Sequence, residues 1–280
     1  MGLSPPARAE ASAARSSDIT QQTAGVPSYT TRSEPPTRLP ARERLMLWGA
    51  LAIVTALSWI VLGRLPMSPS SMNGTNWSLR DCWLVFAMWT VMMAAMMLPS
   101  AGPMIEMYAR IARQRTAAIG SAWLFAAGYL IAWTGFGAAI TLVEYPLERS
   151  RIIGEAMRMK PAAAGLLLIA TGIYQLTPLK EACLTQCRSP LGFFMSKWRS
   201  GGRGALMMGL DHGAFCIGCC WLLMALMFVA GAMNLAWAIA LTIFVLLEKA
   251  SPWGDTLARI SGFAMVASGI ALAVFGHGYR

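Results

Sequence analysis

Seven apolar runs, at roughly 45–62, 82–98, 121–143, 161–177, 205–231, 233–247 and 257–276, leave this 280-residue chain little freedom in what it can become. A run of about 20 apolar residues matches the roughly 30 Å hydrocarbon core of a bilayer when it is helical. In lipid, a helix is the one open-ended structure that satisfies all its own backbone groups. The composition agrees, with 56% hydrophobic and 13% charged residues, far from the balance of a soluble domain. The expected fold is all-α: a polytopic transmembrane helical bundle of about seven spans over residues 45–276. The sixth run is short for a crossing and needs Glu248 and Lys249 near an interface.

Residues 1–44 are rich in Pro, Ser, Thr, Ala and Arg and contain no apolar run, which predicts a disordered basic tail. No signal-peptide core precedes Leu45. Between the runs lie stretches with the Pro, Gly and charge of loops: "GRLPMSPSSMNGTN", "RIARQRT", "EYPLERSRIIGEAMRMKP" and "KEACLTQCRSPLGFFMSKWRSGGR". Placing the amino terminus inside collects 16 of the 23 Lys and Arg residues on the cytoplasmic side. The positive-inside rule therefore predicts a cytoplasmic N-terminus and an external C-terminus. The net charge of +10 then reads as a topology signal plus a basic tail. No aromatic-interleaved basic motif points to nucleic acid.

Within this apolar frame, "LDHGAFCIGCCWLLM" (210–224) concentrates one of two histidines and three of six cysteines. On a helix His212, Cys216, Cys219 and Cys220 share one face, extended by Met208 and Met227. The length of the run places Asp211 and His212 near the cytoplasmic headgroups, with the cysteines one to two turns deeper. Gly209 and Gly213 form a small-xxx-small pair that lets another helix approach closely. The expected partner is the second span, where residues 88–107 hold seven of the chain's 20 methionines. Met88, Met92 and Met96 lie one turn apart, with Met93 and Met97 beside them. Pro99 and Pro103 are expected to interrupt the cytoplasmic end of that span.

A third cluster, "KEACLTQCRSP", puts Cys183 and Cys187 four apart in a predicted cytoplasmic loop, where a helical turn presents both sulfurs on one side. The spacing is CxxxC rather than CxxC, and a closed tetrahedral site needs further ligands. Thiolate, thioether and imidazole together favour Cu(I), with Zn(II) behind it. Each cluster also has a packing reading, because cysteine and methionine fill apolar interfaces. Cys82 stands alone at a span end and reads as structural, and His277 as a solvated terminal residue.

The segments "MWTVMMAAMMLPS", "YQLTPLKEACLTQCRSP", "GLDHGAFCIGCCWLLM" and "MNLAWAIALTIFVLLEKASPWG", in this order, resemble the bacterial domain-of-unknown-function family 2182, described as predicted metal-binding integral membrane proteins. The resemblance covers roughly residues 45–275. It implies a multi-pass protein of the bacterial cytoplasmic (inner) membrane that binds metal, with no established reaction. Its motif residues here are Met92, Met93, Met96, Met97, Pro99, Lys180, Cys183, Cys187, Pro190, His212, Cys216, Cys219, Cys220, Trp221, Glu248, Lys249 and Pro252.

The leading expectation is a soft-metal site for transport, loading or homeostasis, with metal ligands His212, Cys216, Cys219, Cys220, Cys183, Cys187, Met92, Met93, Met96 and Met97. Its partners are the lipid bilayer and a metal donor or acceptor protein. A narrower variant, a mercuric-ion carrier, rests on the vicinal Cys219–Cys220 pair alone. Two other classes compete: a transmembrane thiol-disulfide oxidoreductase, and a structural membrane partner without a site. Glu248 and Lys249, at a span end, can form a structural pair with each other or with Asp211, or take part in ion passage. No nucleophile triad, phosphate loop or dinucleotide fingerprint is present.

Overall fold

The computed structural model describes residues 39–64, 77–115, 120–154 and 157–275. Most of the expected tail, and His277, lie outside these residues, although residues 41–44 already belong to the first helix. Among the described residues ten helices form: α1 (Ala41–Arg64), α2 (Leu79–Gln114), α3 (Gly120–Arg149), α4 (Pro161–Gln175), α5 (Pro178–Arg188), α6 (Pro190–Lys197), α7 (Gly201–Ala225), α8 (Met227–Ala230), α9 (Leu235–Ala250) and α10 (Gly254–Phe275). One isolated bridge, Ile153 to Met159, is the sole β feature among them.

Among the described residues each of the seven apolar runs is mostly helical, but the number of crossings is smaller than seven. Five helices are long and apolar enough to span: α1, α2, α3, α7 continued by α8, and α10. The α4–α5 pair, bent by 66°, makes a sixth when counted as one broken span. The reason is length. At 15 and 16 residues, α4 and α9 reach about 22–24 Å, short of a 30 Å core. Each is stopped by proline chemistry: Pro178 opens α5 three residues after α4 ends, and Pro252 follows the last residue of α9 by two.

Several stretches that looked like loops are helical. The first of them is the long α2, which starts in a Ser78–Asp81 capping box and runs unbroken through Pro99 and Pro103 to Gln114. The expected interruption is therefore absent. Likewise α3 carries "EYPLER" to Arg149 with Pro146 inside it, and the "KEACLTQCRSP" segment is α5 followed by α6.

The helices stack through a few long-range contacts. In the α1–α2 pair, which runs antiparallel, Trp48 Nε1 donates to Glu106 at 2.8 Å and Glu43 pairs with Arg113. The α2–α3 pair is also antiparallel, with Trp89 joined to Glu144 near one end and Tyr108 stacked on Phe125 near the other. Helices α3 and α7 run parallel and almost touch backbones: a Cβ on Gly209 would lie 2.0 Å from the Phe125 carbonyl oxygen. The approach of Gly209 and Gly213 is thus real, but the helix that uses it is α3, not the methionine-bearing α2. A second close pair, α4 with α10, meets through Gly172 and Gly262. Ile53, Leu57 and Ile60 on α1, and Ile260, Phe263 and Ile270 on α10, are exposed, as lipid-facing side chains should be.

Candidate metal centre

The bend between α4 and α5 builds this region. Thr177 caps α5 by accepting from Lys180 N and donates its own hydroxyl to Tyr174 O at 2.7 Å. With Pro178 at the first helical position, the chain turns into the bundle rather than out of it. As a result α5 crosses the middle of α7: Cys183 Sγ would lie 2.8 Å from a Cβ on Gly218, and Cys187 Sγ is 4.0 Å from Cys219 Sγ. Both sulfurs do share one side of a helical turn. Both are partly buried against α7, on a helix rather than in an open loop.

On α7 the expected stripe is buried throughout: Met208, His212, Cys216, Cys219 and Cys220. The methionine helix meets it where expected, since Cys220 Sγ is 4.0 Å from Met97 Sδ. Met92, Met93 and Met96 are buried on the same helix. Cys216 sits at the centre of a polar knot. Lys249 Nζ donates to its sulfur at 2.9 Å and to Ser100 Oγ at 3.2 Å. Tyr129 Oη lies 3.1 Å from the same sulfur and 3.1 Å from the Met97 carbonyl oxygen, to which it donates.

His212 is 2% exposed, enclosed by the rings of Phe125, Tyr129 and Phe193. Its Nδ1 has no hydrogen-bond partner, an uncommon condition for a buried polar atom. Asp211, beside it in sequence, pairs with Arg199 at 3.4 Å. Neither of the expected pairings of Glu248 forms. It binds Lys180 instead, with both residues 1% exposed and Gln175 completing the set. Cys82 is partly buried in the first turn of α2.

These sulfurs are gathered but not arranged as a closed cage. Among the described residues no three His, Cys, Asp or Glu side chains are placed to hold a metal ion together. The hydrogen bonds explain this: Cys219 and Cys220 turn back on their own helix and donate to the Cys216 carbonyl oxygen at 3.1 and 2.9 Å, while Cys216 is taken by Lys249 and Tyr129. What remains is sulfur pairs. Two metal–sulfur bonds of about 2.3 Å each reach across at most about 4.6 Å. The 4.0 Å separations Cys187–Cys219 and Cys220–Met97 fall inside that reach.

Tyr129 carries no metal-site signature in the sequence, and the sequence does not show that Lys180 pairs with Glu248. These roles depend on partners far away in the chain, Cys216 and Met97 for Tyr129 and Glu248 for Lys180.

The family model of PpoB2, described as a copper chaperone, matches residues 86–272. The chain belongs to this PpoB2 copper chaperone family. The PpoB2 match contains every residue of the sulfur cluster, together with His212, Lys249 and Tyr129, and leaves out Cys82. It narrows the cargo of this multi-pass membrane protein to copper, and a chaperone implies proteins that give and receive the ion. No curated protein and no solved structure matches the chain.

Proposed function

We propose that the protein holds Cu(I) within the membrane on the sulfurs of Cys187, Cys216, Cys219, Cys220 and Met97, with Cys183 and His212 flanking them, and hands it to an acceptor protein. The observation that carries this reading is convergence. Three helices, α2, α5 and α7, each deliver sulfur to one buried level, with two inter-helix sulfur pairs at 4.0 Å. Thiolate with thioether selects Cu(I) over harder ions, and the PpoB2 membership agrees. Sulfur pairs suit an ion that accepts few ligands better than Zn(II), which wants four. Met92, Met93 and Met96 extend the thioether surface along α2.

Binding requires the Cys219 and Cys220 thiols to leave the Cys216 carbonyl oxygen, which a χ1 rotation achieves, and Lys249 to withdraw from Cys216 as the copper charge arrives. A site that must exchange partners in this way suits a carrier better than a store. The membrane is proposed to be the bacterial cytoplasmic membrane with the N-terminus inside. Setting aside Lys180 and Lys249, which are engaged in the interior, the basic residues still favour that orientation.

Anaerobic titration of the purified protein with Cu(I) should reach near-stoichiometric loading. Replacing Cys216, Cys219 and Cys220 together with Ala should abolish it, and an unchanged copper content in that variant would sink the proposal. Cys187 and Cys219 are also near enough for a thiol-disulfide reading. Alkylation trapping that found a redox-cycling Cys187–Cys219 bond in a copper-free protein would favour it.

A further inference from the structure

The end of the bundle where α2 begins and α3 ends holds two carboxylates that the sulfur cluster does not use. Glu144 is 0% exposed. Its Oε2 accepts from Trp89 Nε1 at 2.7 Å, and its Oε1 is buried with no hydrogen-bond partner. Glu148, one turn further along α3 and partly buried, accepts from Trp77 Nε1 at 2.7 Å. Among the described residues none of the ion pairs includes either carboxylate. An ionised carboxylate buried in protein without a cationic partner costs several kcal/mol. The two indole N–H groups position these carboxylates and leave Glu144 Oε1 open, where a positive charge, a proton included, would be stabilised.

The surroundings say where that charge would go. On α3, Tyr129, Trp133, Gly137, Thr141, Glu144 and Glu148 follow one another at three- or four-residue spacing, so they form one face, and it is buried as far as Glu144. Tyr129 touches Cys216 at the other end of this face, 15 residues and about 22 Å from Glu144. Two further buried polar atoms without hydrogen-bond partners lie along the interval, Thr90 Oγ1, which faces Gly137, and Trp133 Nε1, and a third, His212 Nδ1, lies at its far end, where the His212 ring stacks on Tyr129. On the facing helix α2, Trp89, Met93 and Met97 are one turn apart and fully buried. One helix face thus runs from the indole that grips Glu144 to the thioether that meets Cys220.

We propose that Glu144, with Glu148 beside it, is a second copper site: a carboxylate station at which Cu(I) pauses before passing along the Met93–Met97 face to the thiols. It rests on the copper reading above and adds the route. Carboxylate is a poor ligand for a soft ion, which is what a station needs if the ion is to leave it for sulfur. Net charge balances without a redox step: Cu(I) displaces the proton or other cation that neutralises Glu144 beforehand, and on reaching the sulfurs it displaces a thiol proton, which is released to water.

The test separates rate from capacity. Full-length protein in detergent micelles is mixed with the Cu(I)–bicinchoninate complex, and thiol loading is followed by the ultraviolet absorption of the copper–thiolate bond. In Glu144→Gln, which keeps an oxygen for Trp89, loading is expected to be complete but at least tenfold slower than in the native protein. In Glu148→Gln, near the helix end and tolerant of change, it is expected to be several-fold slower. Native rates in both variants would overturn the station, as would loss of final copper content in a folded Glu144→Gln protein, since Glu144 would then belong to the resting site. Failure of the native protein itself to load would instead overturn the sulfur site.

Discussion

Glu248→Ala is expected to destabilise the protein by about 3–5 kcal/mol, because it strands the Lys180 ammonium in the interior with only Gln175 for company. The pair joins α5 to α9 across 68 residues of chain, and Gln175 reaches on to Ser261 of α10 at 3.1 Å. Lys180 sits two residues after the proline that redirects α5 into the bundle, so this ion pair fixes the segment that carries Cys183 and Cys187. Thermal unfolding in micelles should show a fall of about 10 °C. Copper loading at the Cys187–Cys219 pair should weaken with it. Replacing both partners, Lys180→Met with Glu248→Leu, should recover most of the loss, since a buried ion pair exchanged for apolar side chains of similar volume is often neutral or better. If the single variant melts with the native protein, or the double variant is worse than the single, the ion pair is not what anchors α5.

That anchoring also marks the boundary of what could be read from residue order. Spacing alone put His212, Cys216, Cys219 and Cys220 on one face, and Cys183 with Cys187 on one side of a turn, because helical period is a local property. The meeting of the methionine helix with the thiols followed from depth, which apolar run length supplies. The position of α5 did not follow. Its polar residues resemble a surface loop, and Lys180 is tolerable inside only because Glu248 waits for it. Tyr129 and Glu144 were invisible for the same reason: one reads as a tyrosine in an apolar run, the other as the start of a loop. Gly209 and Gly213 announced that some helix comes close, yet small residues carry no information on which one.

The choice of α3 as that helix makes Gly209→Ala the sharpest structural test. A single methyl added there would sit 2.0 Å from the Phe125 carbonyl oxygen and 2.9 Å from its carbon, so the obstacle is backbone and no rotamer relieves it. Helices α3 and α7 would have to part by about an ångström, and the consequences extend along the contact. Phe125 and Tyr129 form part of the enclosure of His212, and Tyr129 holds both Cys216 and the Met97 carbonyl. Overpacking of this kind costs about 1–3 kcal/mol where side chains can yield, and more is expected where they cannot. Gly135→Ala is the internal comparison: it lies on α3 with nothing within 4 Å of its added Cβ, and helix propensity alone should stabilise it by up to about 1 kcal/mol. The pair should therefore move in opposite directions in melting temperature, with copper loading lost only in Gly209→Ala. Equal behaviour of the two variants would mean that the α3–α7 contact is looser than the glycine geometry requires, and that the thiols are positioned by α2 and α5 instead.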